Sequence, residues 1–245
     1  MIDEERPVSA CGLRATVQLR SPDSAARRPA LLIYLAMDRH TNLDVPPYRI
    51  LPDEFLAAGH RVASFDLPNH GELVDRYGES LTGIAAAMAD GVDVFGRVAE
   101  LGRSTIQSCT ADMAKDTPVF VAGTSRGGLS ALHVMAAIPS VRAAAAFAPV
   151  TELAALHEFA HLASSPLLRR SCAISLVDRL AGRPLFVTIG RDDERVGTEN
   201  CLAFCRALRA AGSEGLVLTV TDEPGHTVPE DCYRRGAAFF RQDCE

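Results

Sequence analysis

The chain has 245 residues, 47% apolar and 23% charged, with a formal net charge of −6. That length suits one α/β domain of up to about 250 residues; the composition is too apolar for disorder, and no basic block offers itself to nucleic acid phosphates. No apolar run approaches the ~20 residues that cross a bilayer, and the charged start, Met1 to Arg6, leads into no apolar signal core. A cytoplasmic protein with neither membrane nor nucleic acid as partner is therefore expected. Its seven cysteines are odd in number and scattered, which predicts reduced thiols rather than a disulfide framework. Cys201 and Cys205, four apart on a predicted helix, lack the clustered extra ligands of a metal site and read as small residues on a half-buried face.

Taken in chain order, residues 13–19 alternate apolar and polar, predicting a half-exposed antiparallel edge strand. Residues 30–36 are continuously apolar, as suits a strand buried on both faces of a parallel sheet. Residues 48–59 read as a helix ending at Gly59. A second buried strand is expected over 61–65. The connection 72–117 carries helical signals broken by Gly83, Gly91 and Gly102. Strand 118–122 leads into helix 126–137, and strand 143–148 follows. Residues 150–183 hold short helices around Pro166. Strand 184–189, helix 198–211 ending at Gly212, and strand 216–220 come next, and Pro229 opens a last helix. Strand and helix alternate, which predicts an α/β fold with right-handed crossovers. The two long connections are expected over the C-terminal edge of the sheet, where ligands bind.

The strongest chemical signal is Gly123-Thr124-Ser125-Arg126-Gly127, a G-x-S-x-G placed after an apolar strand and before a helix. Such a turn exposes a serine hydroxyl above the sheet at a helix N-terminus, where backbone N–H groups can stabilise an oxyanion. A serine needs a base to take its proton, and the base needs a carboxylate to orient it. His226 stands just past the last strand. Gly190-Arg191-Asp192-Asp193-Glu194-Arg195-Val196 stands just past the strand before it. Nucleophile, acid and base thus follow in the order Ser, Asp, His, each at a strand's C-terminal end.

These residues resemble the α/β-hydrolase superfamily over nearly the whole chain. Among its branches, the small esterases related to dienelactone hydrolases and prolyl-oligopeptidase-type catalytic domains are nearest. The resemblance implies a central, mostly parallel sheet of about seven or eight strands flanked by helices. It implies a single domain over residues 1–245, with residues 150–183 a small helical cap. The family's Gly-x-x-Asp-x-x-Val pattern selects Asp193, with Asp192 the weaker candidate. Asp66-Leu67-Pro68-Asn69-His70-Gly71 resembles a structural or pocket-lining loop of the family, so His70 is not expected to be the base. Many members carry His-Gly after the third strand; here Ala36-Met37-Asp38-Arg39-His40 stands in that place. The backbone N–H of Met37 is then expected to join that of Arg126 in an oxyanion hole, with Met37 narrowing the acyl pocket or only packing. His40 is a second pocket-lining candidate, whereas His60 and His133 read as packing residues.

His157-Glu158-Phe159-Ala160-His161 competes with this reading. H-E-x-x-H on an α-helix puts both histidines on one face to bind zinc, with the glutamate as base. The motif falls in the expected cap, however, and lacks a downstream Gly-x-x-His, so an ordinary cap helix is the favoured expectation and a pocket-lining one the next. Leu153, Leu156, Phe159, Leu162 and Leu167 would form an apolar pocket wall or pack on the body.

The expected function is hydrolysis of a carboxylic ester, thioester or amide of a small substrate through Ser125, His226 and Asp193, with no cofactor or metal. A silent hydrolase-fold binding module and a zinc peptidase are the alternatives. A homodimer is left open.

Overall fold

The computed structural model describes residues 1–242 and 244. Eight strands form one sheet: β1 (Ile2–Ala10), β2 (Leu13–Ser21), β3 (Leu31–Leu35), β4 (Arg61–Phe65), β5 (Val119–Thr124), β6 (Val141–Phe147), β7 (Leu185–Gly190) and β8 (Leu216–Thr221). Their order is β1-β2-β4-β3-β5-β6-β7-β8. The first two pairings, β1 with β2 and β2 with β4, are antiparallel, and the rest are parallel.

The apolar runs are buried on both faces because alternate residues point to opposite layers. In β3, Leu31, Ile33 and Leu35 join the larger core, while Leu32 and Tyr34 join the smaller one across the sheet. Over the smaller core lie α1 (Arg39–Asp44), α2 (Ile50–Ala57) and α9 (Glu230–Arg241), which contribute Leu43, Phe55 and Phe240. Over the larger core lie α3 (Ser80–Ala89), α4 (Val94–Cys109), α5 (Arg126–Ala137), α7 (Val177–Leu180) and α8 (Thr198–Ala210). A short α6 (Pro166–Ser171) opens on its Ser165 cap.

Two expectations are corrected. The strand predicted over 13–19 is present and antiparallel, yet it is not the edge. β1 lies outside it, paired from Ile2 opposite Ser21 to Ala10 opposite Leu13. Most of β1 is exposed, and only Val8 is buried, so it carries no apolar pattern to read. Charged side chains suit an edge strand, because they discourage pairing with another chain. In the connection 72–117, Gly91 does separate two helices, but Gly83 and Gly102 lie inside α3 and α4. A Cβ on Gly83 would sit 2.3 Å from the Gly78 carbonyl oxygen, and one on Gly102 would sit 2.9 Å from Val134. They mark close packing rather than helix ends.

His133 of α5 packs as expected. Its ring stacks on Phe95 of α4, centroids 5.0 Å apart, and Nε2–H donates to the Ser171 carbonyl at 2.9 Å. Burial pulls its pKa down to about 4, with Arg179 adding to the effect and the Ser171 carbonyl and Asp93 opposing it. Below the ordinary histidine value of about 6.5, the unfolded chain therefore takes up a proton that the native state refuses. This contribution to stability is complete above pH 6.5 and is lost progressively down to about pH 4. His133 is half-buried, and the expected loss is about 2 kcal/mol. Urea midpoints measured across that interval should show the fall in the wild type. A flatter profile is expected in His133→Phe, which keeps the stacking but cannot titrate; an unchanged slope would assign the fall to other groups.

Candidate active site

Ser125 links β5 to α5 with φ 56° and ψ −118°, a conformation that L-residues rarely adopt. Its flanking glycines are dictated by contact. A Cβ on Gly123 would lie 2.2 Å from the Gly127 carbonyl oxygen, and one on Gly127 would lie 2.1 Å from that of Leu35. β3, β5 and α5 are thus pressed together at the level of the main chain, and Ser125 is left at the crest. Its N–H donates to the Phe147 carbonyl at 2.8 Å, and its own carbonyl receives the N–H of Val150 at 3.1 Å.

The loop after β7 holds Asp193 almost wholly buried. Its carbonyl accepts the N–H groups of Gly197 and Thr198. The Thr198 hydroxyl receives Asp193 N–H at 3.0 Å and donates to the Gly190 carbonyl at 2.7 Å. Asp193 Oδ1 accepts the N–H groups of Arg195 and Val196 at 3.0 and 3.2 Å. Oδ2 lies 2.7 Å from His226 Nδ1, and His226 Nε2 lies 2.9 Å from Ser125 Oγ. The three side chains proposed from the sequence are therefore joined in one hydrogen-bonded line. Asp192 is exposed and outside it.

A cleft of about 300 Å³ opens over this line, with Tyr48, Leu81, Arg126 and Arg195 among its walls. Arg126 is the first residue of α5, so its N–H has no acceptor within the helix and lies beside Ser125. The Met37 N–H does not join it. That hydrogen is donated to Asn42 Oδ1 at 2.9 Å, the Met37 carbonyl accepts from Leu67 N–H, and Met37 is not among the cleft residues. The buried Asn42 carboxamide captured it, with Nδ2 donating to Ser64 Oγ at 2.9 Å. Nor does His40 reach the cleft; its side chain is 65% exposed beside Asp44.

His70 is buried away from Ser125. Its Nδ1 is 3.0 Å from the Pro68 carbonyl and its Nε2 is 2.7 Å from Arg126 Nη1. The loop around it is held by Asp66, whose carboxylate accepts from Arg39 N and Nη1 and from Glu72 N. Of the structural and pocket-lining roles its resemblance implied, the loop's hydrogen bonds fit the structural one, and none of residues 66–71 is among the cleft residues.

The H-E-x-x-H segment is not an α-helix. Residues His157–Leu162 form a 3₁₀ helix, in which residues three apart eclipse, so positions four apart diverge by about 120°. His157 is 83% exposed, and Glu158 is paired with Arg195. No group of three or more metal-ligating side chains occurs among the described residues. The apolar side chains of this segment pack on the body: Leu153, Leu156, Phe159 and Leu167 are buried in the larger core, and no residue of 150–183 is among the cleft residues.

Sequence reading missed Tyr48 and Arg195. Arg195 lies in the loop leaving β7, two positions after Asp193, and Tyr48 lies between α1 and α2, just after Pro46-Pro47. Position after a strand was the available signal for Arg195; Tyr48 had none, since the sequence places it at the start of a helix.

A serine on a strand-to-helix turn above a mostly parallel sheet of this order defines an α/β-hydrolase. The model of the prolyl oligopeptidase family matches residues 109–243, more than half the chain. The protein belongs to that family and is a serine hydrolase. No curated protein matches it. Among solved structures, a cold-adapted esterase from an Arctic intertidal metagenomic library is similar, with TM-score 0.75 and 17% identity over 98% of this chain and 93% of its own. An esterase of Pyrococcus furiosus superposes with TM-score 0.72 and 17% identity, over 98% and 92%. A puromycin-hydrolysing peptidase of Mycobacterium tuberculosis gives TM-score 0.75 and 14% identity, over 98% of this chain and 39% of that one. At these identities the likeness is one of fold. No helix among the described residues is long and apolar enough to cross a membrane.

Proposed function

We propose that the protein hydrolyses a carboxylic ester of a small substrate through an acyl-enzyme on Ser125. The observation that carries this reading is the continuous line Ser125–His226–Asp193 at 2.9 and 2.7 Å beside an accessible cleft. Ser125 Oγ attacks the ester carbonyl as His226 Nε2 accepts its proton. The Asp193 carboxylate fixes the proton on Nδ1 and stabilises the imidazolium. The oxyanion is met by Arg126 N–H, and Tyr48, in the same cleft, carries a hydroxyl that can supply a second donor. His226 then returns its proton to the leaving alkoxide, and water enters to release the acid by the same steps in reverse.

The modest size of the cleft, about 300 Å³, suits a short acyl group and a small leaving group, and an ester is the less demanding bond for a Ser-His-Asp line because an alkoxide leaves more readily than an amine. The test is direct. Wild-type protein should turn over p-nitrophenyl butyrate at least about a hundredfold faster than alanyl-p-nitroanilide in kcat/KM, a gap of about 3 kcal/mol. The reverse order would make it a peptidase, and inactivity on both would remove the hydrolase reading.

A further inference from the structure

Two arginines, Arg126 and Arg195, line the cleft beside Ser125, and their surroundings differ. Arg195 is neutralised: its Nη1 and Nη2 donate to the two carboxylate oxygens of Glu158 at 3.1 and 2.5 Å. Arg126 is not. Its Nη1 donates to His70 Nε2 at 2.7 Å and to Ser80 Oγ at 3.0 Å. No carboxylate lies within 4.0 Å of it among the described residues, and its Nε is buried without a hydrogen-bond acceptor.

His70 does not balance that charge. Nδ1 carries the hydrogen donated to the Pro68 carbonyl, which leaves Nε2 a lone pair for Arg126. Burial holds the His70 pKa below the ordinary histidine value, and the neighbouring Arg126 charge lowers it further. The imidazole is therefore a neutral acceptor.

A guanidinium drawn partly out of water without a counter-ion is costly, because neutral acceptors replace only part of its hydration. Desolvation accordingly pulls the Arg126 pKa down, and Arg195 adds to the effect; Tyr48 and Glu158 oppose it. Glu158 is the nearest acid to act on Arg126, and its oxygens are already engaged by Arg195. Arg126, Arg195 and the Glu158 that pairs with Arg195 from outside the cleft together leave one positive charge without a carboxylate partner, on a protein whose net charge is −6. A residue serving only to tie the His70 loop and Ser80 to α5 would need hydrogen-bond donors but no charge. An arginine with an unmatched charge, whose Nη1 is engaged by neutral acceptors while Nη2 has none among the described residues, is suited to an anion that Nη2 can meet through a charge-assisted hydrogen bond.

We infer that the cleft selects esters bearing a carboxylate, with Arg126 as the specificity-determining residue that receives it. The inference rests on the hydrolase reading and names the substrate class of the same site.

Two matched pairs of esters test it. One pair carries the charge on the acyl side: mono-p-nitrophenyl glutarate against p-nitrophenyl pentanoate. The other carries it on the leaving group: 4-carboxyphenyl butyrate against 4-carbamoylphenyl butyrate. In wild type, the charged member of one pair should exceed its neutral partner by about tenfold or more in kcat/KM, as a desolvated charge-assisted contact can supply. The pair that shows the effect identifies the side of the scissile bond that Arg126 faces. In Arg126→Gln that ratio should collapse toward one, and Arg126→Lys should restore part of it. Arg195→Gln should shift the ratio less, since the Arg195 charge is already matched by Glu158. Because the ratio is taken within one variant, a general loss of activity does not imitate the result.

Wild-type ratios near one in both pairs would overturn the inference and leave the esterase standing, and this arm needs no variant to fold. A wild-type preference that survives Arg126→Gln would overturn the assignment to Arg126. Hydrolysis of none of the four esters would overturn the hydrolase reading and this inference together.

Discussion

Ser125→Ala is expected to abolish covalent labelling by an organophosphonate and to remove nearly all ester turnover while leaving the fold intact. The chain has many serines, but Ser125 Oγ is the hydroxyl placed 2.9 Å from His226 Nε2. Only there does a base stand ready to take the proton that makes an alcohol a nucleophile. The phosphonate reproduces the tetrahedral geometry of the attacked carbonyl, so it should add once per chain, and peptide mapping should find it on Ser125. The loss in kcat should reach about a millionfold, the scale seen when a nucleophile that works as part of a triad is removed. Fold integrity is checked by an unchanged urea midpoint, since the substitution removes one hydroxyl from a crest position. A label on another serine would place the chemistry elsewhere. Turnover retained in the alanine variant would show that Ser125 is not the nucleophile.

Asp193→Asn should lower kcat by about a thousandfold to ten-thousandfold with little change in KM. The surrounding hydrogen bonds dictate this. Oδ1 accepts two main-chain N–H groups, from Arg195 and Val196, so the asparagine must place its oxygen there and turn its NH₂ toward His226. A donor facing Nδ1 forces the imidazole hydrogen onto Nε2, the atom that must accept from Ser125. The base is then present in the wrong tautomer. Nitrogen NMR of the imidazole gives a readout that a mere loosening of the loop would not move: the protonated nitrogen should switch from Nδ1 to Nε2. Asp192→Asn, on an exposed neighbour, should change kcat less than about twofold, in keeping with surface substitutions away from a site. Reversed effects would assign the carboxylate to Asp192.

These two predictions rest on residues that could be read before any coordinates, because a nucleophile turn, an acid loop and a base loop each sit directly after an apolar strand. The interior strands were legible for the same reason: a run such as 30–36 has no polar face to confuse its assignment. β1 was not legible. A strand exposed on both sides obeys no hydrophobic period, and only its register with β2 reveals it. The Met37 N–H went to Asn42 because a buried carboxamide must find partners, and no local pattern announces which donor it will choose. H-E-x-x-H misled by period: the motif presumes an α-helical turn, and the segment is wound more tightly, as a 3₁₀ helix. Tyr48, Arg126 and Arg195 meet from three separate loops or turns, a convergence that belongs to the fold and not to any stretch of sequence.

The main-chain torsions of Ser125 have one more effect. Because Gly123, Gly127 and the Leu35 carbonyl are in direct contact, the turn is a rigid mount and not a hinge. The direction of the hydroxyl is set chiefly by backbone geometry, leaving the side chain a single torsion to settle against His226. Whatever entropy is lost in choosing that direction is lost once, when the chain folds. An arriving ester meets a nucleophile that is already aimed, so the barrier in each turnover contains little of the search for orientation.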